Sequence, residues 1–339
     1  MIKAGLVGLG KMGISHCSII NTHPEVDLVA VCDGSKFVLS CIDKYAGIKC
    51  FKNYKKMIDT CNLDCVIVAT PTKFHADMVQ YALKRNLHVF VEKPFCLHID
   101  DGQEMVAIAE HNNLVNQVGY HNRFVGTFQK VRELVRDNAI GEVYHFLGEA
   151  YGPVVLKEKG GTWRSDMSEG GGCLYDYASH VINLVQFILG NPDSVSGTVL
   201  KKIYSKGVDD AVYATILYDN GLSGQLSVNW SDETYRKMST QITILGKRGK
   251  IIADAQECKI YLRDEQADGK LEKGWNLRYV TDLSQDVWFY LRGEEYSAQI
   301  DHFIQCIKTN NRDNINSFAS ALQTDNIVNL LKNDAMARA

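Results

Sequence analysis

The sequence predicts an α/β chain in two parts: a doubly wound parallel sheet over residues 1–120, then an α+β domain over residues 121–339 built on a mostly antiparallel sheet. Three observations carry this. Short apolar runs alternate with amphipathic helical stretches through the first 120 residues. The string "GLGKMG", Gly8 to Gly13, directly follows the first of these runs and opens a helical stretch. Beyond residue 120 the pattern becomes a succession of alternating strands separated by turn signals.

In chain order, "IKAGLVG", "VDLVAVCD", "DCVIVAT", "LHVFVEK" and "NLVNQVGY" read as strands. Between them, "KFHADMVQYALKR" places Met78, Tyr81 and Ala82 on one helical face. Strand–helix alternation means βαβ units with right-handed crossovers, and therefore a parallel sheet. In the second part "FQKVRELVRD" reads as a helix and "EVYHFLGEAY" as a strand. A helix follows the glycines at 170–172, and then come the runs "SVSGTVLKKIY", "DAVYATILYDNGLSGQLSVNW", "STQITILGKRGKIIADA" and "CKIYLRD". Asn220-Gly221 separates two alternating segments, and that pair accepts the positive φ of a hairpin turn. Successive hairpins make the sheet mostly antiparallel. "DEQADGKLEKGWN" reads as a surface loop, and two helical patterns close the chain.

With 45% hydrophobic and 23% charged residues among 339, the chain has the makeup of a globular protein with a sizeable core. A formal charge of -3 leaves no basic footprint for nucleic acid and no polybasic patch for a membrane surface. No apolar run is long enough to span a bilayer, and the first residues lack the charged leader and cleavage site of a signal peptide. A cytoplasmic protein is expected. Ten cysteines suit a reducing compartment, where they behave as small buried hydrophobes. Cys61 and Cys65 make a C-x3-C spacing with no second pair beside it, so no metal is expected.

"GLGKMG" is G-x-G-x-x-G between a strand and a helix, the context in which the string has a mechanism. Gly8 allows the tight turn, Gly10 lets a pyrophosphate approach the backbone, and Gly13 lets helix and strand pack closely, with Lys11 and Met12 in the same cofactor-binding turn. Asp33 closes the second strand 20 residues after Gly13, where a ribose-binding carboxylate belongs. Its charge repels a 2′-phosphate and favours NAD. Ser35 and Lys36 follow closely and leave NADP as the alternative. "ATPTKFH", containing Ala69, Thr70, Pro71 and His75, and "EKPF", starting at Glu92 and Lys93, lie at carboxyl ends of strands, where open α/β sheets bind ligands. Lys93 there is either a group that meets substrate or a surface lysine.

"GGGCLYDYASH" sets three glycines before a helix carrying Asp176 and His180. On an ideal helix over 174–189, Leu174, Tyr177, Val181, Leu184, Val185 and Ile188 form one stripe, while Asp176, His180 and Asn183 line another at i, i+4, i+7. The glycines are expected to make room for a ligand. The alternative is a hydrogen-bonded boundary histidine with a carboxylate serving the helix dipole.

"GLGKMG" with Asp33, "ATPTKFH", "HVFVEKP" and "GGGCLYDYASH", in this order, resemble the Gfo/Idh/MocA oxidoreductases over nearly the whole chain. The resemblance implies a Rossmann domain, a second domain with an open-faced sheet, NAD(P)-dependent chemistry on sugars, polyols or related compounds, and a homodimer or homotetramer. It places the family's lysine on Lys93 and its paired acid and histidine on Asp176 and His180. "GYHNRF", with His121 and Arg123, matches the segment entering the second domain, and Trp163-Arg164 matches a substrate loop. Ala178 and Asn183 depart from the family pattern, which more often has Gly and Asp there.

The implied reaction sends hydride from a CH–OH carbon to the nicotinamide while His180 takes the hydroxyl proton, a role suited to imidazole near neutral pH. Lys93 would stabilise the alkoxide and Asp176 would bind a neighbouring hydroxyl or orient the base. Trp163 would stack on a sugar face, and Arg123 and Arg164 would pair with a carboxylate or phosphate. Two other readings stay open: reduction of a non-sugar carbonyl, C=C or C=N bond, and a dinucleotide-binding sensor without turnover.

Overall fold

In the computed structural model, which describes residues 1–158, 161–265, 271–284, 288–289 and 294–337, each apolar run of the N-terminal part becomes a strand. The elements are β1 (Ile2–Val7), α1 (Lys11–Thr22), β2 (Val26–Cys32), α2 (Lys36–Ala46), β3 (Lys49–Phe51), α3 (Tyr54–Thr60), β4 (Cys65–Val68), α4 (His75–Leu83), β5 (His88–Val91), α5 (Ile99–His111) and β6 (Asn116–Val118). Their sheet is parallel, in the order β3-β2-β1-β4-β5-β6. Strand order reverses between β1 and β4, and the loops after β1, β4 and β5 all leave from the carboxyl edge.

Both sheet faces are covered, which is why the central strands β4 and β5 read as nearly continuous apolar runs rather than alternating ones. Leu6, Val31, Ile67 and Phe90 pack with Ile19 and Ile20 on one side, while Val7, Val68, Val89 and Val91 pack with Val79, Leu83 and Met105 on the other. The edge strand β3 is absent from the sequence reading because three residues are too few for a periodic signal. The expected face of α4 also shifts. His75, Val79, Ala82 and Leu83 are buried, whereas Met78 and Tyr81 lie at the rim of the core.

The second unit contains α6 (Gly126–Arg136), β7 (Val143–Tyr151), α7 (Ser179–Leu189), β8 (Ser194–Lys201), β9 (Ala211–Leu217), β10 (Ser223–Asn229), β11 (Ser239–Gly246), β12 (Gly249–Asp254), β13 (Glu257–Leu262), β14 (Gly274–Tyr279) and α8 (Val280–Leu283). Its eight-stranded sheet runs β14-β13-β12-β11-β7-β10-β9-β8. Every pair is antiparallel except β7 with β10. Asn220-Gly221 forms the expected β9–β10 turn, with Gly221 at φ +87°. Helices α6 and α7 pack on one face of this sheet.

Two helices close the chain, α9 (Glu294–Thr309) and α10 (Phe318–Met336). Ile300, Phe303, Ile304 and Cys306 of α9 join the core around Leu6 and Ile19, and Phe318, Ala321 and Leu322 join the core around Val7. The chain therefore forms two compact units, Met1–His121 with Val287–Leu322 and Asn122–Asp286 with Gln323–Ala339. Among the described residues no helix is long and apolar enough to cross a membrane.

The glycines before α7 serve the fold itself. A Cβ on Gly171 would lie 2.5 Å from the Arg164 carbonyl oxygen. Gly172, at φ +106°, would bring a Cβ within 2.6 Å of Asp209 Oδ1. The chain's own atoms fill the space beside these two glycines. Asp209 is the reason for the crowding at Gly172: it accepts the Leu174 N–H at 2.7 Å, and its carbonyl accepts the Cys173 N–H at 2.9 Å. Burial pushes its pKa up to about 6. The neighbouring Asp210 collects the N–H groups of Ile203, Tyr204 and Ser205 and the Trp230 indole at 2.7–2.8 Å.

The helix also starts differently from an ideal one. Leu174–Ala178 winds as a π-helical turn before α7 begins at Ser179. Hydrogen bonds that reach back five residues instead of four take Asp176 out of the simple i, i+4 line with His180. The polar stripe is enclosed as well, with Asp176, His180 and Asn183 all buried.

The crowding at Gly172 sets a test. Gly172→Ala combines an unfavourable φ with a forced clash and is expected to cost about 2–4 kcal/mol. Urea denaturation of wild type and variant measures this, and an unchanged midpoint would contradict the packing role.

Candidate active site

The turn from β1 into α1 is built around two close approaches. A Cβ on Gly8, at φ +92°, would sit 2.5 Å from the Ala69 carbonyl oxygen, and one on Gly13 would sit 1.9 Å from Gly8 O. At Gly10 nothing lies within 4 Å of the same position. Gly10 also caps α1 in an extended conformation without a side-chain hydrogen bond, so the first N–H groups of the helix suit an anion arriving over Gly10. Lys11 is exposed and Met12 half-buried in this first turn.

Asp33 stands at the end of β2 with both carboxylate oxygens held. Oδ2 accepts the Leu9 N–H at 2.6 Å and Oδ1 the Ser35 N–H at 2.7 Å. These bonds orient the carboxylate toward the glycine turn. The Ser35 hydroxyl is engaged as N-cap of α2, accepting from Val38 N–H at 3.4 Å, while Lys36 is exposed. An open cradle at Gly10, an uncapped helix start and an oriented strand-end carboxylate fit a dinucleotide with a free ribose 2′-hydroxyl.

Ala69, Thr70 and Pro71 are half-buried at the end of β4. His75 lies beneath them, fully buried, with Nε2 3.0 Å from the Thr70 carbonyl and Nδ1 3.0 Å from the Pro94 carbonyl. It therefore fastens the loops after β4 and β5 to each other, and burial pushes its pKa down. Glu92 is buried as well: Oε1 lies 2.6 Å from His16 Nε2, and Oε2 accepts the backbone N–H of Lys93 at 3.2 Å. Lys93, half-buried, precedes Pro94 across a cis peptide bond. His121 stacks on Tyr296 of α9 with ring centroids 4.6 Å apart. Burial takes its pKa down to about 4, so the ring is neutral around pH 7.

In the second unit Arg123 is buried and spends its guanidinium inside the chain. Nε donates to Asn183 Oδ1 at 2.7 Å, Nη2 donates to the Asn183 carbonyl at 3.2 Å, and the group lies 5.4 Å from the Phe187 ring centre. Asn183 in turn donates to Thr324 Oγ1 at 3.0 Å, and Thr324 donates to Gln186. These bonds give the buried guanidinium the fixed acceptors it needs. Asn183, the departure from the family pattern, supplies them without a charge of its own.

Arg164 pairs with Asp176 at 3.0 Å (Nε to Oδ2) and lies over Trp163, 4.5 Å from its ring centre. Trp163, Thr162, Ser165, Asp166 and Ser205 help line a cavity of about 750 Å³ on this unit. The structure thus gathers Trp163, Arg164 and Asp176, with His180 one turn further along the helix. Three functional neighbours escape sequence reasoning: His16, Asp209 and Tyr296. Only His16 leaves a local trace, as a histidine on the same face as the buried Gly13, Cys17 and Ile20.

Residues 2–120 match the family model described as oxidoreductase family, NAD-binding Rossmann fold, and residues 128–252 match the GFO/IDH/MocA C-terminal domain. Myo-inositol 2-dehydrogenase of Thermotoga maritima is 25% identical over 317 residues, covering 91% of this chain and 89% of that protein. Scyllo-inositol 2-dehydrogenase (NAD(+)) of Bacillus subtilis is 22% identical over 314 residues, covering 91% and 86%. A levoglucosan dehydrogenase solved in complex with NADH and L-sorbose shares the fold, with a TM-score of 0.88 at 19% identity over 100% of this chain and 98% of that one. With both halves matched in order, the chain belongs to the GFO/IDH/MocA oxidoreductase family.

Proposed function

We propose that the protein is an NAD-dependent oxidoreductase that interconverts a CH–OH and a C=O group on a sugar or polyol. The observation that carries this is the glycine turn with its oriented Asp33, in a domain that matches the NAD-binding Rossmann family model; the resemblance of the sequence motifs adds Lys93, Asp176 and His180. Relatives named for inositols support the substrate class.

The nicotinamide, when bound, accepts or returns the hydride. The chain's residues bind, orient and move the proton. Gly10 and the start of α1 receive the pyrophosphate, and Asp33 takes the adenosine ribose hydroxyls and disfavours a 2′-phosphate, so NADP is the poorer cofactor. His180 is assigned to accept the hydroxyl proton, and Lys93 to stabilise the oxygen as it becomes an alkoxide. Asp176 is assigned to a neighbouring hydroxyl, with Arg164 aiming it through their 3.0 Å pair. Neutral His121 is a hydrogen-bonding contact for the substrate, and Trp163 is the platform for an apolar sugar face.

The cytoplasm is assigned as the compartment, in keeping with ten cysteines as free thiols. A homodimer or homotetramer is assigned from the second unit's sheet, whose β13–β14 edge exposes Tyr261, Trp275 and Leu277 side by side. A charge of -3 argues against a nucleic-acid or membrane partner.

Purified protein incubated with NAD and a panel of sugars, inositols and nucleotide sugars is expected to generate reduced nicotinamide. Lys93→Ala and His180→Ala should each lower kcat by roughly 10²–10⁴-fold. Activity surviving both substitutions would overturn the proton-transfer roles, and tight cofactor binding without turnover would favour the sensor. For the cofactor cradle, Gly10→Ala fills open space and should leave unfolding stability within about 0.5 kcal/mol. NAD affinity measured by calorimetry should fall at least about tenfold, the worth of one strong hydrogen bond. Unaltered affinity would move the pyrophosphate away from Gly10.

A further inference from the structure

The turn that carries Lys93 is held from below by a histidine outside the family motifs quoted above. His16 is fully buried on α1, the helix whose first turn faces the cofactor cradle, and its Nε2 lies 2.6 Å from Glu92 Oε1. The other oxygen of Glu92 accepts the Lys93 N–H at 3.2 Å. The pocket around this carboxylate is tight. A Cβ on Gly119 would come within 2.9 Å of Oε1, and the His16 ring packs edge-on against Phe90 with centroids 5.3 Å apart. His16 Nδ1 is buried and has no hydrogen-bond partner among the described residues, so the ring spends its polar contact on Glu92.

An ionised carboxylate only accepts hydrogen bonds, which puts the shared hydrogen on Nε2. The chain of contacts then runs from α1 through His16 and Glu92 to the backbone of Lys93. We propose that His16 is a positioning residue: its bond to Glu92 fixes the turn from which Lys93 reaches the substrate, without touching substrate itself. The inference rests on the assignment of Lys93 to the reaction.

The charged and titratable groups around Glu92 are His16, Lys93, His121 and His75. Burial pushes the carboxyl's pKa up. The His16 bond and charge, followed by the charges of Lys93 and His121, outweigh burial and bring it below the usual value. Removing His16 therefore raises the Glu92 pKa. As pH falls, the carboxylate is lost earlier, and the acid limb of the rate profile moves to higher pH.

The test compares wild type with His16→Leu, which removes the donor, and His16→Gln, which restores one. Leucine is expected to lower kcat by about tenfold, the value of a charge-assisted hydrogen bond. NADH affinity, read by fluorescence, should stay within about twofold, because the cradle at Gly10 and Asp33 is untouched. Glutamine should recover most of kcat, and leucine alone should shift the acid limb upward. Amide hydrogen exchange at Lys93, which needs no substrate, should accelerate in the leucine variant and return toward wild type with glutamine. Unchanged kcat and Lys93 exchange in a folded leucine variant would overturn the proposal, as would glutamine performing no better than leucine. Should leucine prevent folding, Glu92→Gln takes its place, with the same loss of kcat and faster Lys93 exchange expected and their absence counting against the role. Wild type without turnover would instead defeat the functional reading, leaving Lys93 exchange to decide whether His16 holds the turn.

Discussion

A side chain at Gly13 has no place to go, because its first carbon would fall 1.9 Å from the carbonyl of Gly8. That contact seats α1 against the end of β1, and much of the first unit follows from it. It brings the helix start under Gly10, where the surrounding space is open. It also sets the backbone of Leu9 to donate to Asp33, and carries His16, further along the same helix, to Glu92. One steric constraint thus links the proposed phosphate cradle, the carboxylate proposed for the ribose and the turn bearing Lys93.

The second unit follows a different logic. Its helix α7 is buried nearly throughout, so polar groups on it survive only with fixed partners. Asn183 finds Arg123 and Thr324, and Asp176 finds Arg164. Asp209 braces the entry from the other side by receiving the Leu174 N–H. These bonds hold the polar side chains before and after His180 in the sequence. The base proposed at His180 would benefit from such fixed neighbours, since small misplacements are costly in rate.

The parallel sheet, the glycine turn with Asp33 and the β9–β10 hairpin are legible in the sequence because each depends on residues close in the chain. Asn220-Gly221 is a turn whatever surrounds it. The parallel pairing of β7 with β10 is not legible, since those strands are far apart in sequence and carry no mark of each other. The same holds for α9, whose Phe303 and Ile304 look like any amphipathic face until they meet the core around Ile19. The three glycines mark a special stretch in the sequence, but nothing local shows that the Arg164 carbonyl crowds Gly171 and Asp209 crowds Gly172. The bond between Arg123 and Asn183 joins positions 60 residues apart and is not legible in the sequence. The bond between His16 and Glu92 spans 76 residues and follows from packing alone.

The central claim is that this chain moves a hydride between a carbinol carbon and NAD. Incubation with NAD and polyols deuterated at every carbinol carbon, followed by mass spectrometry of the nicotinamide product, tests it most directly. The account predicts reduced cofactor carrying one deuterium from the substrate. Tight NAD binding with no deuterium transferred from any polyol or sugar would contradict it.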